Sequence, residues 1–280
     1  MTSLLKSKAN MIKIKTLAEI EAMKPAGALS KLALRKAGTM VVPGTRTIDI
    51  DRVVESLIRI HGATPAFKGY LGFPASICCS INNEIVHGIP GEGVVLQEGD
   101  IVSIDTGAVL NGWVGDNAWT FYCGTPSAED RALCEVTRDC LYLGIQEAVV
   151  GNHLGDIGFA IAEHAEKHGY GVVREYVGHG VGHDMHEEPN VPNYGKRGRG
   201  VRLQEGMVLA IEPMIVLNSP KNETQTNRWT VVTADKGTAA HYENTIAITK
   251  DGPVILTADE KGATCPMEGG PDRSDSIPEI

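Results

Sequence analysis

The sequence predicts an α+β fold of two pseudo-symmetric halves built around antiparallel sheet, and three observations carry that expectation. Helical periodicity followed by strand-like runs occurs twice along the chain. Two ten-residue strand-like runs flank Asn111-Gly112, the strongest short signal for a two-residue β-hairpin. Glycine accounts for 32 of 280 residues, about 11% against a typical ~7%, which favours tight turns and close backbone approaches over a helical bundle.

Thr16-Leu17-Ala18-Glu19 reads as a capping box, with the Thr16 hydroxyl serving an early helical N–H and Glu19 reaching back to the Thr16 backbone. Ile20, Met23, Ala26, Leu29, Leu32 and Leu34 then recur near a helical period. They predict a helix over 17–37, broken or kinked near Pro25 and stopped by Gly38. A second helix over 48–61 places Ile50, Val53, Val54, Leu57 and Ile58 on one face. Strands at 76–81, 101–110 and 113–122 close the first half. In the second half Ser127 caps a helix to about 149, and another helix covers 154–168. Strands are expected at 172–178, 207–216, 228–233 and 241–249. Residues 1–11 form an N-terminal extension and residues 12–261 one globular body. From 262 to 280 the chain carries Pro266, Gly269, Gly270, Pro271 and Pro278 with almost no apolar pattern, and reads as a disordered tail.

A hydrophobic content of 42% with 22% charged residues is that of a soluble globular protein with a sizeable core. The net charge of −9 argues against nucleic acid as a partner, because the densest basic group, Lys196, Arg197, Arg199 and Arg202, reads as a solvated face. Only Leu4 and Leu5 are apolar neighbours before Met11, far short of a signal-peptide core or a spanning helix. The cytoplasm is therefore the expected location, with no membrane partner. Cysteines at 78, 79, 123, 134, 140 and 265 form no CxxC pair, so reduced thiols are expected. Cys78 and Cys79 should point to opposite faces of their strand.

The hairpin allows geometry to be derived from spacing. A two-residue loop at Asn111-Gly112 pairs Leu110 with Trp113 and therefore Asp105 with Ala118. Asp116 then lies on the same face as Asp105, diagonal to it, with Cβ atoms roughly 7–8 Å apart or less. Such carboxylates repel, and one holds a proton unless cations are present. Taken alone, the pair fits a solvated hairpin equally well. The apolar run Ile101, Val102 and Ile104 ahead of Asp105 shifts the balance towards metal. Glu212 interrupts the apolar stretch from Gly206 to Met214, and Glu243 precedes Thr245-Ile-Ala-Ile-Thr. Lone acids on apolar strands need a partner or a metal. His179 stands in a glycine-rich run with His183 and His186, where backbone can approach a ligand closely and a neutral imidazole suits carboxylate co-ligands.

Five groups of residues now resemble the type I methionine aminopeptidases. They are Asn83-Glu84-Ile85-Val86-His87-Gly88-Ile89-Pro90, Ile104-Asp105 with Asp116, Gly178-His179-Gly180 with His186-Glu187-Glu188-Pro189, Ile211-Glu212-Pro213, and Tyr242-Glu243. The similarity runs in order over residues 11–258. It implies a pita-bread fold for the 12–261 body and a dinuclear metal centre held by Asp105, Asp116, His179, Glu212 and Glu243, with Asp116 and Glu243 bridging. Four carboxylates against two divalent ions leave a neutral cluster, which tolerates burial far better than four bare anions. Oxygen-rich ligation with one nitrogen and no thiolate favours Mn, Fe(II) or Co, with Zn also able to bind. The resemblance further implies that His186 donates to a developing oxyanion, that His87 contacts the scissile peptide and that Glu212 also passes a proton. Tyr70, Phe73, Cys78, Met185 and Trp229 would form a pocket for methionine. Met185 stands where the family often has an aromatic residue, and Asn244 where it often has histidine.

The implied activity is removal of the initiator methionine from nascent chains and peptides with a small second residue. One subunit suffices for such chemistry, and the ribosome is a candidate partner. Two other readings compete: an enzyme of the same fold that cleaves before proline, and a binding module that has lost the chemistry. The short region before Thr16 and the His186-Glu-Glu-Pro run disfavour the first. All five implied ligands being present disfavours the second.

Overall fold

A computed structural model describes residues 11–258. The N-terminal extension before Met11, the tail from Gly262 and Cys265 lie outside the described residues. Four α-helices are described: α1 (Leu17–Gly38), α2 (Thr47–Ile60), α3 (Ala128–Glu147) and α4 (Leu154–Lys167). The strands of the first half are β1 (Thr64–Pro65), β2 (Ile77–Ile81), β3 (Glu84–Val86), β4 (Ile101–Leu110) and β5 (Trp113–Tyr122). Those of the second are β6 (Gly171–Val172), β7 (Gly178–Gly180), β8 (Glu187–Val191), β9 (Val208–Ile211), β10 (Met214–Val216), β11 (Asn222–Thr224), β12 (Val231–Thr233), β13 (Ala239–His241), β14 (Asn244–Thr249) and β15 (Gly252–Ile255). In each half, helices pack on antiparallel sheet: α1 and α2 against β2, β4 and β5, and α3 and α4 against strands from β6 to β13. The predicted α+β class is the one observed.

The capping box forms as read, with Thr16 Oγ1 accepting from Glu19 N and Glu19 Oε2 accepting from Thr16 N. Helix α1 nevertheless runs unbroken across Pro25. Ile20, Met23, Ala26, Leu29 and Leu34 are buried along one face, so tertiary packing outweighs the single hydrogen bond that proline removes. Gly38 is also not a left-handed stop. It is the last helical residue, and a Cβ there would collide with the Phe121 ring, so glycine is needed for close packing on β5.

The hairpin carries the predicted register throughout. Leu110 pairs with Trp113, Asp105 with Ala118, and Gly107 with Asp116. Asn111 and Gly112 both have positive φ, 52° and 81°, as a type I′ turn demands. Behind the strands, buried Ser30 of α1 donates to Thr106 O at 2.7 Å and lies 2.8 Å from Asn117 Oδ1. Thr106 and Asn117 are a cross-strand pair adjacent to Asp105 and Asp116, so α1 fixes the sheet from the face opposite the two acids. Cys78 and Cys79 enter different core clusters, as their alternation requires, and all five described cysteines are free and buried.

The second half departs from expectation at its strands. The run 172–178 becomes β6 and β7 with a loop between them. The run 207–216 splits into β9 and β10 at Glu212-Pro213, and 241–249 splits into β13 and β14 at Tyr242-Glu243. Strands β9, β7, β14 and β15 lie in a five-stranded sheet closed by β8, whereas β10 pairs with β13 on one side and β6 on the other in a separate sheet. Each split therefore marks a change of sheet. Hydrogen bonds join the halves there: Glu243 N donates to Ala118 O at 2.9 Å and the Thr245 hydroxyl Oγ1 donates to Asp116 O at 2.7 Å. No helix of the described residues is long and apolar enough to cross a membrane.

Candidate metal centre

The joint between the halves brings all five predicted acids and imidazoles to one place. Asp105 and Asp116 come from the hairpin, His179 from β7, and Glu212 and Glu243 from the two splits. One ligand atom each from Asp116, His179 and Glu243 lie within 4.8 Å of one another. His179 Nε2 is 3.6 Å from Asp116 Oδ2 and 3.5 Å from Glu212 Oε1. These spacings exceed a hydrogen bond and match two ligand atoms placed at about 2.1 Å from a shared ion.

The hydrogen-bond census makes the case for metal. Asp105 Oδ1, Asp116 Oδ1 and Glu243 Oε1 are buried without a hydrogen-bond partner. An acceptor oxygen left bare in the interior costs about 1–3 kcal/mol, more when charged, so several within one cluster call for a cation. Burial pushes the carboxyls of Asp105 and Glu212 upward, to about 7 and about 8. Asp116 and Glu243 are likewise raised, by burial and then by their acidic neighbours. His179 is driven down to about 3 by burial, with His186 adding to the effect, so it is neutral. Its Nδ1 lies 3.0 Å from Gly180 O. That carbonyl claims the Nδ1 proton and leaves the Nε2 lone pair facing the acids, the tautomer a metal ligand needs. The donor set fits divalent ions.

Above the cluster opens a cleft of about 260 Å³. Every predicted site residue lines it: the five acids and imidazoles, His87 and His186, and Tyr70, Phe73, Cys78, Met185 and Trp229. Phe73 meets Trp229 edge-on with centroids 5.1 Å apart. The Tyr70 hydroxyl lies 2.9 Å from His186 Nδ1; when it donates there, Nε2 of His186 carries the proton. The His186 ring stands 4.1 Å from that of His179. His87 occupies a left-handed backbone conformation with φ 60°, a strain of the kind held at functional positions. Burial, then His241 and His186, lowers its imidazole to about 4. Asn244, beside Glu243, accepts from Thr257 Oγ1 at 2.8 Å while its Nδ2 is buried and unpartnered.

The model of metallopeptidase family M24 matches residues 21–250. The chain belongs to family M24. A member of that family from Clostridium acetobutylicum, named methionine aminopeptidase, is 53% identical over 247 residues, covering 88% of this chain and 99% of the relative. Among solved structures, a methionine aminopeptidase from Thermotoga maritima is similar with a TM-score of 0.87 and 44% identity, over 88% of this chain and 99% of that one. A prolidase from Pyrococcus furiosus shares the fold at a TM-score of 0.73 and 26% identity, over 93% of this chain and 68% of the prolidase. The resemblance read from the five motifs is borne out, as are the pita-bread fold and a metallopeptidase's need for divalent metal.

Sequence reasoning missed several residues of the cleft. Phe67, Tyr176, Val177 and Met214 also line the cleft. Met214 stands two residues from Glu212, a signal that strand alternation offers. Tyr176, whose ring lies 5.7 Å from that of His87, sits in the loop that stands where a strand over 172–178 was expected. His241 was also missed: its Nε2 is 3.6 Å from Glu212 Oε2.

Proposed function

We propose that the chain is a methionine aminopeptidase that hydrolyses the peptide bond after an N-terminal methionine when the second residue is small. The observation that carries this reading is a set of bare buried carboxylate oxygens at the floor of a cleft walled by Phe73, Cys78, Met185 and Trp229. Asp105, Asp116, His179, Glu212 and Glu243 would hold two divalent ions. When bound, the ions supply Lewis acidity at the scissile carbonyl and make a water acidic enough to attack near neutral pH.

The protein's own groups do the rest. Glu212, beside His179 Nε2 at 3.5 Å, would take the proton released by the attacking water and pass it to the departing amine. His186, with Nδ1 engaged by Tyr70, presents an Nε2–H where negative charge develops on the carbonyl oxygen. His87, which also lines the cleft, contacts the scissile peptide. The thioether of methionine is matched by polarisable and aromatic side chains, and Met185 gives the wall some adaptability. Mn, Fe(II) and Co suit an oxygen-rich site with one imidazole, and Zn can also occupy it. The substrates are peptides and nascent chains in the cytoplasm, the enzyme acts as a monomer, and the ribosome is where nascent substrates arise.

A peptidase specific for bonds before proline would use the same ligands. Parallel assays of Met-Ala-Ser and an Xaa-Pro peptide decide between them. Preferential release of methionine from Met-Ala-Ser supports the reading, and preferential turnover of the Xaa-Pro peptide overturns it.

A further inference from the structure

Glu212 lies between two imidazoles, His179 Nε2 3.5 Å from Oε1 and His241 Nε2 3.6 Å from Oε2. Only the first has a part in the reading above. His241 ends β13, is 2% exposed and does not line the cleft. Its backbone is held by Thr120, whose Oγ1 accepts from His241 N at 3.0 Å and donates to His241 O at 2.9 Å. Any residue but proline could make those two bonds, so they do not explain an imidazole.

The ring itself makes no hydrogen bond among the described residues, and its Nε2 is buried and unpartnered. Leaving such a group unsatisfied costs about 1–3 kcal/mol, which a leucine at the same place would avoid. The two imidazoles also differ in how their protons are placed. A carbonyl takes the Nδ1 proton of His179 and turns its Nε2 into a lone-pair donor. No carbonyl among the described residues does this for His241, so its Nε2 can carry the proton and face a carboxylate that only accepts.

We propose that His241 is a positioning residue of the metal centre, donating its Nε2–H to Glu212 Oε2 and thereby setting the rotation of that carboxylate. The inference rests on the reading of the cluster as a metal site. At 3.6 Å the pair stands a few tenths of an ångström beyond a hydrogen bond, a gap that a small turn of the carboxylate closes. Held in this way, Oε1 stays beside His179 Nε2, where the two can serve one ion. Partners that orient a ligand from behind characteristically govern metal affinity.

The test is Co(II) affinity of the chelator-stripped full chain, measured by its d–d absorption in competition with a chelator. His241→Leu keeps the volume and removes the N–H; His241→Gln restores an N–H donor. The expected result is 10–100-fold weaker binding for the leucine variant and affinity within about threefold of wild type for glutamine. Should leucine not fold, His241→Phe takes its place. Wild-type affinity in the apolar variant, with or without a lower melting temperature, overturns the proposal, as does glutamine binding no better than leucine. Failure of the wild type itself to bind Co(II) would instead sink the metal-site reading, and this inference with it.

Discussion

The β4–β5 hairpin and the split strands β9/β10 and β13/β14 deliver carboxylates to one cluster by opposite means. In the hairpin the ladder is continuous, and Asp105 and Asp116 reach the site because strand alternation turns them to one face. In the splits the ladder stops. Glu212 and Glu243 lie in the two-residue gaps where the chain leaves one sheet for another. A regular strand aims its side chains perpendicular to its sheet, so two sheets meeting edge to edge can converge on one point only where a strand bends. The difference teaches that half of this site is local geometry and half is a consequence of how two sheets are joined.

If the two means are equivalent once the protein is folded, ligands from either region should matter alike. Asp105→Asn, Asp116→Asn and Glu243→Gln are each expected to lower methionine release on the order of 10⁴-fold, about 5.5 kcal/mol. Steady-state kinetics on Met-Ala-Ser check this, and a hairpin variant retaining a hundred times the activity of a split-strand variant would break the equivalence.

The titration of the metal-free protein tests whether the acids act as one cluster. Asp105 and Glu212, one from each region, have carboxyls raised to about 7 and about 8, first by burial, against ordinary values near 4. The folded state then binds more protons than the unfolded between about pH 4 and 8, so stability must fall as pH rises through that window. Urea unfolding of chelator-stripped protein across the window should show the decline, and saturating Mn(II) should flatten it. A stability that rises with pH in the stripped protein would contradict the account.

A third acid sharpens the comparison because it carries its own cations. Glu187 accepts from Lys15 at 2.6 Å, in a pair whose side chains are 2% and 5% exposed, and from half-exposed Lys13 at 2.9 Å. Lys15→Met should cost about 3 kcal/mol, the low end for breaking a buried pair because Lys13 remains, and leave Co(II) affinity unchanged. A loss below 1 kcal/mol in urea unfolding would mean that Glu187 does not depend on Lys15. The smallest effect is expected at the turn. Gly112→Ala places a Cβ at φ 81° and should cost about 1–2 kcal/mol without changing metal affinity; a tenfold loss of affinity would show that the hairpin is not the rigid platform described.

What was legible in the sequence follows the same division. The hairpin register could be read because a two-residue turn fixes every pair along the strands, so Asp105 and Asp116 were placed from spacing alone. Helix α1 was legible from its cap and periodicity, yet Pro25 was overrated because burial of one face holds the helix together. The splits were not foreseen. Pro213, which cannot donate to a ladder, was the available clue at Glu212; Tyr242-Glu243 offers none. The bonds from Thr245 to Asp116 and from Glu243 to Ala118 join residues far apart in sequence and leave no local trace. The acids of the second half therefore stood out as lone acids on apolar runs, but only the resemblance to a family joined them to the hairpin acids in one site. His241 was invisible for the same reason, since one histidine before Tyr242-Glu243 carries no pattern until the sheets meet.

The most direct test of the account is release of methionine from Met-Ala-Ser by protein stripped with chelator and then reconstituted separately with Mn, Fe(II), Co and Zn. The account predicts no release by the stripped protein and recovery with at least one ion. Undiminished release after stripping, or none with any ion while the metal still binds, would contradict it.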